Sequence, residues 1–108
     1  MFARNLTFEV KLEKREEFVK VVKDQVLPIL KKQVGFLELL PFFQTKARVE
    51  KVLTITLWTT RQDAERYERE FYPRVLDIVK PFLDTPVEVS YSNLETTLCD
   101  GFVDALAV

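Results

Sequence analysis

The chain has no histidine among its 108 residues and a single cysteine, Cys99. Without imidazole, a Ser-His-Asp triad, a Cys-His pair, a histidine zinc site and a histidine-ligated haem are all excluded by inventory. One cysteine allows no intrachain disulfide and no thiolate cluster, which suits a reducing cytoplasm. Long apolar runs are missing too, and the opening residues Met1 to Asn5 turn polar at once. Neither a signal peptide nor a membrane span is therefore expected. Charge of one sign is also lacking: Lys+Arg 16 against Asp+Glu 17 leaves −1, which creates no field to recruit nucleic acid or an anionic membrane. The acidic residues fall on helix faces beside basic partners rather than converging, so no carboxylate metal site is expected.

What is present is the balance of a globular protein, 47% hydrophobic and 31% charged. It reads as one cytoplasmic domain over 1–108, with 96–108 as a C-terminal tail. Leu6, Phe8, Val10 and Leu12 alternate with Asn5, Thr7, Glu9 and Lys11, the period of a strand with one apolar and one polar side. From Lys14 to Gln33 the spacing becomes helical, with Phe18, Val22, Val26, Ile29 and Leu30 on one face and Pro28 expected to bend the last turns. Gly35 ends that helix and starts a short strand, Phe36 to Leu40, which Pro41 interrupts, arguing for an edge or a bulge. Residues 44–50 read as a loop, within which Lys46 and Arg48 are basic.

The strand Val52 to Trp58 runs into Thr60 and Asp63, a variant of the capping box. Ala64, Tyr67 and Phe71 give the next helix its buried side, and Pro73 breaks it. A short helical piece follows over 74–80, then a turn bracketed by Pro81 and Pro86, then a fourth strand through Val87, Val89 and Tyr91. The order β-α-β-β-α-β predicts an α+β, ferredoxin-like fold with both helices on one face of a four-stranded antiparallel sheet. Taken alone, the third strand puts Leu53, Ile55 and Leu57 toward the helices and Thr54, Thr56 and Trp58 on the opposite face with Thr7 and Glu9. Against a second copy, that face would enclose a semi-polar chamber, which favours a homodimer.

Asn5 on the first strand, a long helix closing in Gln33, Val34, Gly35 and Phe36, and a strand ending Leu57, Trp58 before a capped helix together resemble the dimeric α+β barrel superfamily. Within it the chain resembles antibiotic biosynthesis monooxygenase-like domains over about residues 3–95. The resemblance implies a homodimer with a ligand cavity in each protomer between sheet and helices. It also implies use of oxygen without metal or flavin on an electron-rich aromatic or polyphenolic substrate, with an Asn and a Trp in the cavity. The haem-degrading branch carries a histidine on the second helix; here that stretch reads Tyr67, Glu68, Arg69, so haem ligation of that kind is excluded.

The expected catalytic residues are Asn5, Trp58 and Tyr67, and the expected substrate-binding residues are Thr7, Glu9, Thr54 and Thr56. A phenolate held near Trp58 can pass an electron directly to oxygen, with Asn5 hydrogen-bonding the substrate or the oxygen intermediate and Tyr67 or Glu9 assisting proton movement. Each residue also admits a structural reading: Trp58 as packing, Asn5 as a backbone partner where the strand begins, Tyr67 as a helix-to-sheet contact, Glu9 as a solvated side chain. A non-catalytic ligand-binding or interaction module of the same fold is the alternative. An RNA-binding sheet is disfavoured, because Thr7, Thr54 and Thr56 stand where stacking aromatics would be needed. The apolar tail residues Leu98, Phe102 and Leu106 are expected to pack on a partner subunit.

Overall fold

The first strand, β1 (Phe2–Lys11), is set by the alternation seen in the sequence, and apart from the small Ala3 its buried side chains are even-numbered: Phe2, Arg4, Phe8 and Val10. A computed structural model describes residues 1–95 of the chain, so the expectations for the C-terminal tail and Cys99 lie outside the described residues. After a 3-10 turn, Leu12–Lys14, a helical rod packs Phe18, Val26 and Leu30 into the core. The rod has three parts: α1 (Arg15–Val21), a π-helical turn (Val22–Val26) and α2 (Leu27–Lys31). Pro28 cannot donate to the carbonyl four residues back and its ring crowds that carbonyl. The wider i→i+5 turn lies immediately before it, so the expected bend takes the form of a change in helical register.

β2 (Phe36–Lys46) and β3 (Val49–Trp58) form a long hairpin, followed by α3 (Arg61–Glu70), α4 (Tyr72–Val79) and β4 (Glu88–Asn93). All pairings are antiparallel, in the order β2-β3-β1-β4. This is the α+β, ferredoxin-like arrangement expected. Three local expectations change. Pro41 marks an edge strand, one of the two alternatives expected, but does not end β2, because a proline there removes no ladder bond that the sheet needs; the bulge lies at Phe36/Glu38. Residues 44–50 are strand and tight turn rather than loop, with Ala47 taking the positive φ of 47° at the reversal. Pro73 does not break a helix; it occupies the first turn of α4, where its missing N–H is unneeded, and Phe71 (φ −127°) makes the break.

The far end of the hairpin is fastened to α1 through a buried carboxylate. Glu50 accepts from Thr45 Oγ1 at 2.8 Å and pairs with Arg15 Nε at 3.0 Å, while the Arg15 guanidinium lies 4.8 Å from the Phe43 ring centroid.

The β1–β3 register corrects the expected sheet faces. Phe8 pairs with Val52, Leu6 with Thr54, Arg4 with Thr56 and Phe2 with Trp58. Directly paired residues share a face, so Val52, Thr54, Thr56 and Trp58 join the buried side beneath the helices. Leu53, Ile55 and Leu57 lie on the open side with Asn5, Thr7 and Glu9. The polar residues expected on one face of the sheet are thus divided between two.

Gly35 (φ +82°) closes the rod against α3: its carbonyl accepts from Thr59 N at 2.8 Å, and a Cβ at this position would run into the Asp63 carboxylate. Gly35→Ala should cost at least ~1–3 kcal/mol from backbone strain alone, measured by urea unfolding. An unchanged midpoint would show that this junction tolerates a side chain.

Candidate functional site

Between the buried face and the helical rod lies a cavity of about 270 Å³, near the lower end of the ~300–1,000 Å³ usual for small-molecule sites. Leu6, Phe8 and Phe43 of the sheet form its floor, Phe18, Val22, Val26 and Leu30 its roof, and Val75 and Val79 of α4 its end wall. The π-helical turn contributes Val22, Lys23 and Val26. Pi-turns recur at functional sites because they displace side chains from the regular helical stripe.

The polar atoms in this apolar chamber are few. Thr54 and Thr56 reach it from β3, and Tyr67 from α3 and Tyr72 from α4 bring phenols. Glu38 stands at the β2 bulge, a feature that re-aims side chains; its Oε1 accepts from Leu39 N at 3.0 Å. Arg4 enters from β1, 1% exposed. Its guanidinium lies 3.9 Å from the Tyr72 ring centroid and 5.8 Å from that of Tyr67. Arg4 Nε lies 3.6 Å from Glu68 Oε2, and Glu68 accepts from the Tyr91 hydroxyl at 2.6 and 2.7 Å. That hydrogen bond raises the Tyr91 pKa, with slight burial adding to it and the neighbouring Arg4 charge opposing it.

Of the seven expected site residues, Thr54, Thr56 and Tyr67 line the cavity. Trp58 does not. It is 0% exposed, its Nε1 donates to Thr56 Oγ1 at 3.0 Å, and its indole is wedged between Phe36 and Tyr67, with ring centroids 5.6 and 5.1 Å away. It supports the wall from behind. Asn5, Thr7 and Glu9 are on the other side of the sheet, where the pleat sends odd-numbered β1 residues. Asn5 Nδ2 donates there to Ser92 Oγ at 3.1 Å, a cross-strand contact between side chains rather than the backbone contact expected of it, while Trp58 is a packing residue. Four polar cavity residues went unrecognised in the sequence, Arg4, Lys23, Glu38 and Tyr72. Arg4 carried a signal: it stands in phase with Leu6, Phe8 and Val10, so a buried β1 face must include it.

Tyr67 is 3% exposed, and desolvation pushes its pKa well above the ordinary phenol value, only partly offset by Arg4. At neutral pH it is a hydrogen-bond donor, not a base. Among the described residues no group of acidic or cysteine side chains is arranged to hold a metal ion.

No family model matches the chain, and no curated protein matches it in sequence. Solved structures do match. A Nitrosomonas europaea protein provisionally named an antibiotic biosynthesis monooxygenase superposes with a TM-score of 0.71 at 15% identity, covering 87% of this chain and 89% of its own. SnoaB, described as a cofactor-independent oxygenase from Streptomyces nogalater and solved as an asparagine-to-alanine mutant, gives 0.70 at 15% identity, covering 92% and 98%. Protein Atu4242 from Agrobacterium tumefaciens gives 0.64 at 23%, covering 86% and 92%. The chain has the fold of these proteins, two of which are named for antibiotic biosynthesis monooxygenase or oxygenase activity.

The raised Tyr67 pKa has a consequence for stability. Above about pH 10 the unfolded chain loses this proton while the folded chain keeps it, so the stabilisation is full below the ordinary phenol pKa and is lost as pH rises beyond it. Urea unfolding between pH 9 and 11 should show a decline from this group of up to ~1.4 kcal/mol per pH unit. Tyr67→Phe should remove that part of the slope; an identical slope in the variant would mean the phenol is not desolvated.

Proposed function

We propose that the protein binds an electron-rich aromatic or polyphenolic small molecule in this cavity and oxidises it with molecular oxygen, without metal or flavin. The supporting observation is a largely apolar chamber with one guanidinium, one ammonium, two phenols, two threonine hydroxyls and one carboxylate in its lining. The names of the structural neighbours agree with the reading at the level of fold. Glu38, the only carboxylate lining the cavity among the described residues, takes a proton from an activated phenol or ring methylene. The resulting anion passes one electron to molecular oxygen, and the substrate radical and superoxide combine to a hydroperoxide. That intermediate loses water, so that one methylene group and one oxygen molecule become one carbonyl group and one water. The Tyr67 phenol donates a hydrogen bond to the developing oxyanion, and Thr54 and Thr56 hold the substrate's edge.

A non-catalytic binding module is the second reading. The burial of Trp58 away from the cavity and the contact of Glu38 with the Leu39 amide favour it. Oxygen-electrode assays with dithranol and a panel of hydroquinones, after treatment with a chelator, separate the two. The oxygenase reading expects uptake of one oxygen molecule per substrate and a fall in kcat of about 10²–10⁴-fold in Glu38→Gln. Stable binding without oxygen uptake would leave the binding module.

The proposal includes a homodimer in the cytoplasm. Phe42 and Leu53 are cross-strand partners on the open face and remain 55% and 40% exposed, with Leu40 and Ile55 paired beside them. Such an apolar strip on a sheet face is a typical site of association. Among the described residues no helix is long and apolar enough to cross a membrane. Analytical ultracentrifugation should give a dimer for the native protein and a monomer for Leu53→Arg. A monomeric native protein would end this part of the proposal.

A further inference from the structure

We propose that Arg4 is an anion-binding residue, so that the cavity selects a flat aromatic ligand carrying one anionic oxygen, a phenolate or a carboxylate. The inference deepens the proposed function and rests on the cavity being a ligand site.

A guanidinium keeps its charge even when buried, and its donors then need acceptors. Arg4 has few. Nη2 has no hydrogen-bond partner among the described residues, and Nε, at 3.6 Å from Glu68, is in ion-pair range but makes no hydrogen bond. Glu68 serves the cation only at a distance, its Oε2 lying 3.6 Å from Arg4 Nε, while its carboxylate also accepts from the Tyr91 hydroxyl. The Arg4 Cζ lies 3.9 Å from the Tyr72 ring centroid, a contact that restrains the guanidinium, and a restrained planar fork is the geometry that grips an oxyanion through parallel N–H donors. A purely structural arginine at 1% exposure would be expected to spend its donors on protein acceptors, as Arg15 does on Glu50.

The surrounding walls give the preference its meaning. Leu6, Phe8, Val26, Leu30 and Val79 offer a ring system only apolar contact; of the two cations in the lining, Lys23 is exposed to water and Arg4 is 1% exposed, so an anionic substituent gains most at the Arg4 end. The low dielectric strengthens that attraction. Glu68 competes with the ligand for the same charge. At 32% side-chain exposure it is partly screened by water, so it weakens the site without abolishing it.

The test uses the full chain, isothermal titration calorimetry, and two probes of nearly equal shape, 2-naphthoate and 2-naphthamide. The native protein should bind naphthoate about tenfold or more tighter than naphthamide. Arg4→Gln should erase that preference while leaving naphthamide affinity within about threefold. Glu68→Gln, which keeps an acceptor for the Tyr91 hydroxyl, should tighten naphthoate severalfold and leave naphthamide unchanged. If Arg4→Gln fails to fold, the Glu68 variant decides alone: naphthoate binding unchanged or weakened there overturns the inference. Equal binding of both probes by the native protein overturns it while leaving the aromatic cavity intact. Binding of neither probe overturns it together with the cavity reading.

Discussion

The register between β1 and β3 is the constraint on which the rest of the structure depends. Phe8 opposite Val52 and Leu6 opposite Thr54 put one set of β3 side chains under the helices and the other set in the open. A slip of one residue would exchange the faces entirely, sending Trp58 out and Leu57 in. Both faces carry enough apolar area to look like a core, so β3 alone cannot choose between them. The choice comes from its neighbours: β1 has only one apolar face to offer, and the Phe36–Trp58 and Trp58–Tyr67 ring contacts are possible only on the same side.

That register also creates the chemistry of the cavity. Extending the buried phase of β1 backward from Phe8 places Arg4 beneath α3 and α4, where a charge would be costly without compensation. The compensation is assembled from three elements, with Tyr72 beneath the guanidinium, Glu68 at its edge and Tyr91 holding Glu68 in turn. Each of these is weaker than a direct bidentate pair. The cation is thereby tolerated without being saturated, the condition that lets a buried charge be used by something other than the fold. The same desolvation keeps Tyr67 protonated beside it, so the site combines a fixed cation with a proton donor.

The sequence showed the order of the elements, the buried helix positions Phe18, Val26 and Leu30, the Thr60 cap and the break at Gly35. These signals are local, carried by periodicity or by one residue's backbone preference. The extension of β2 past Pro41 was not legible, because a proline disqualifies a central strand but not an edge, and position in the sheet is a long-range property. The placement of the site failed for the same reason. Asn5, Thr7 and Glu9 were grouped with Thr54, Thr56 and Trp58 by polarity, whereas cross-strand pairing joins residues by phase. Grouping by phase would have assigned Arg4, Leu6, Thr54 and Thr56 to one surface and exposed the anomaly of an arginine among them.

The two faces divide the demands on this small sheet. The helix side holds a ligand-sized space, which requires that part of the core stay unfilled, a loss of packing contacts that a chain of 108 residues must recover elsewhere. The buried Glu50–Arg15 pair and the aromatic cluster of Phe8, Phe18, Phe43 and Phe82 hold one end of the chamber, and Trp58 with Phe36 and Tyr67 holds the other. Among the described residues the apolar strip through Phe42 and Leu53 has no comparable role. Burying it against a second sheet would add back contacts of the kind the cavity forgoes, linking the stability of a hollow protomer to its association.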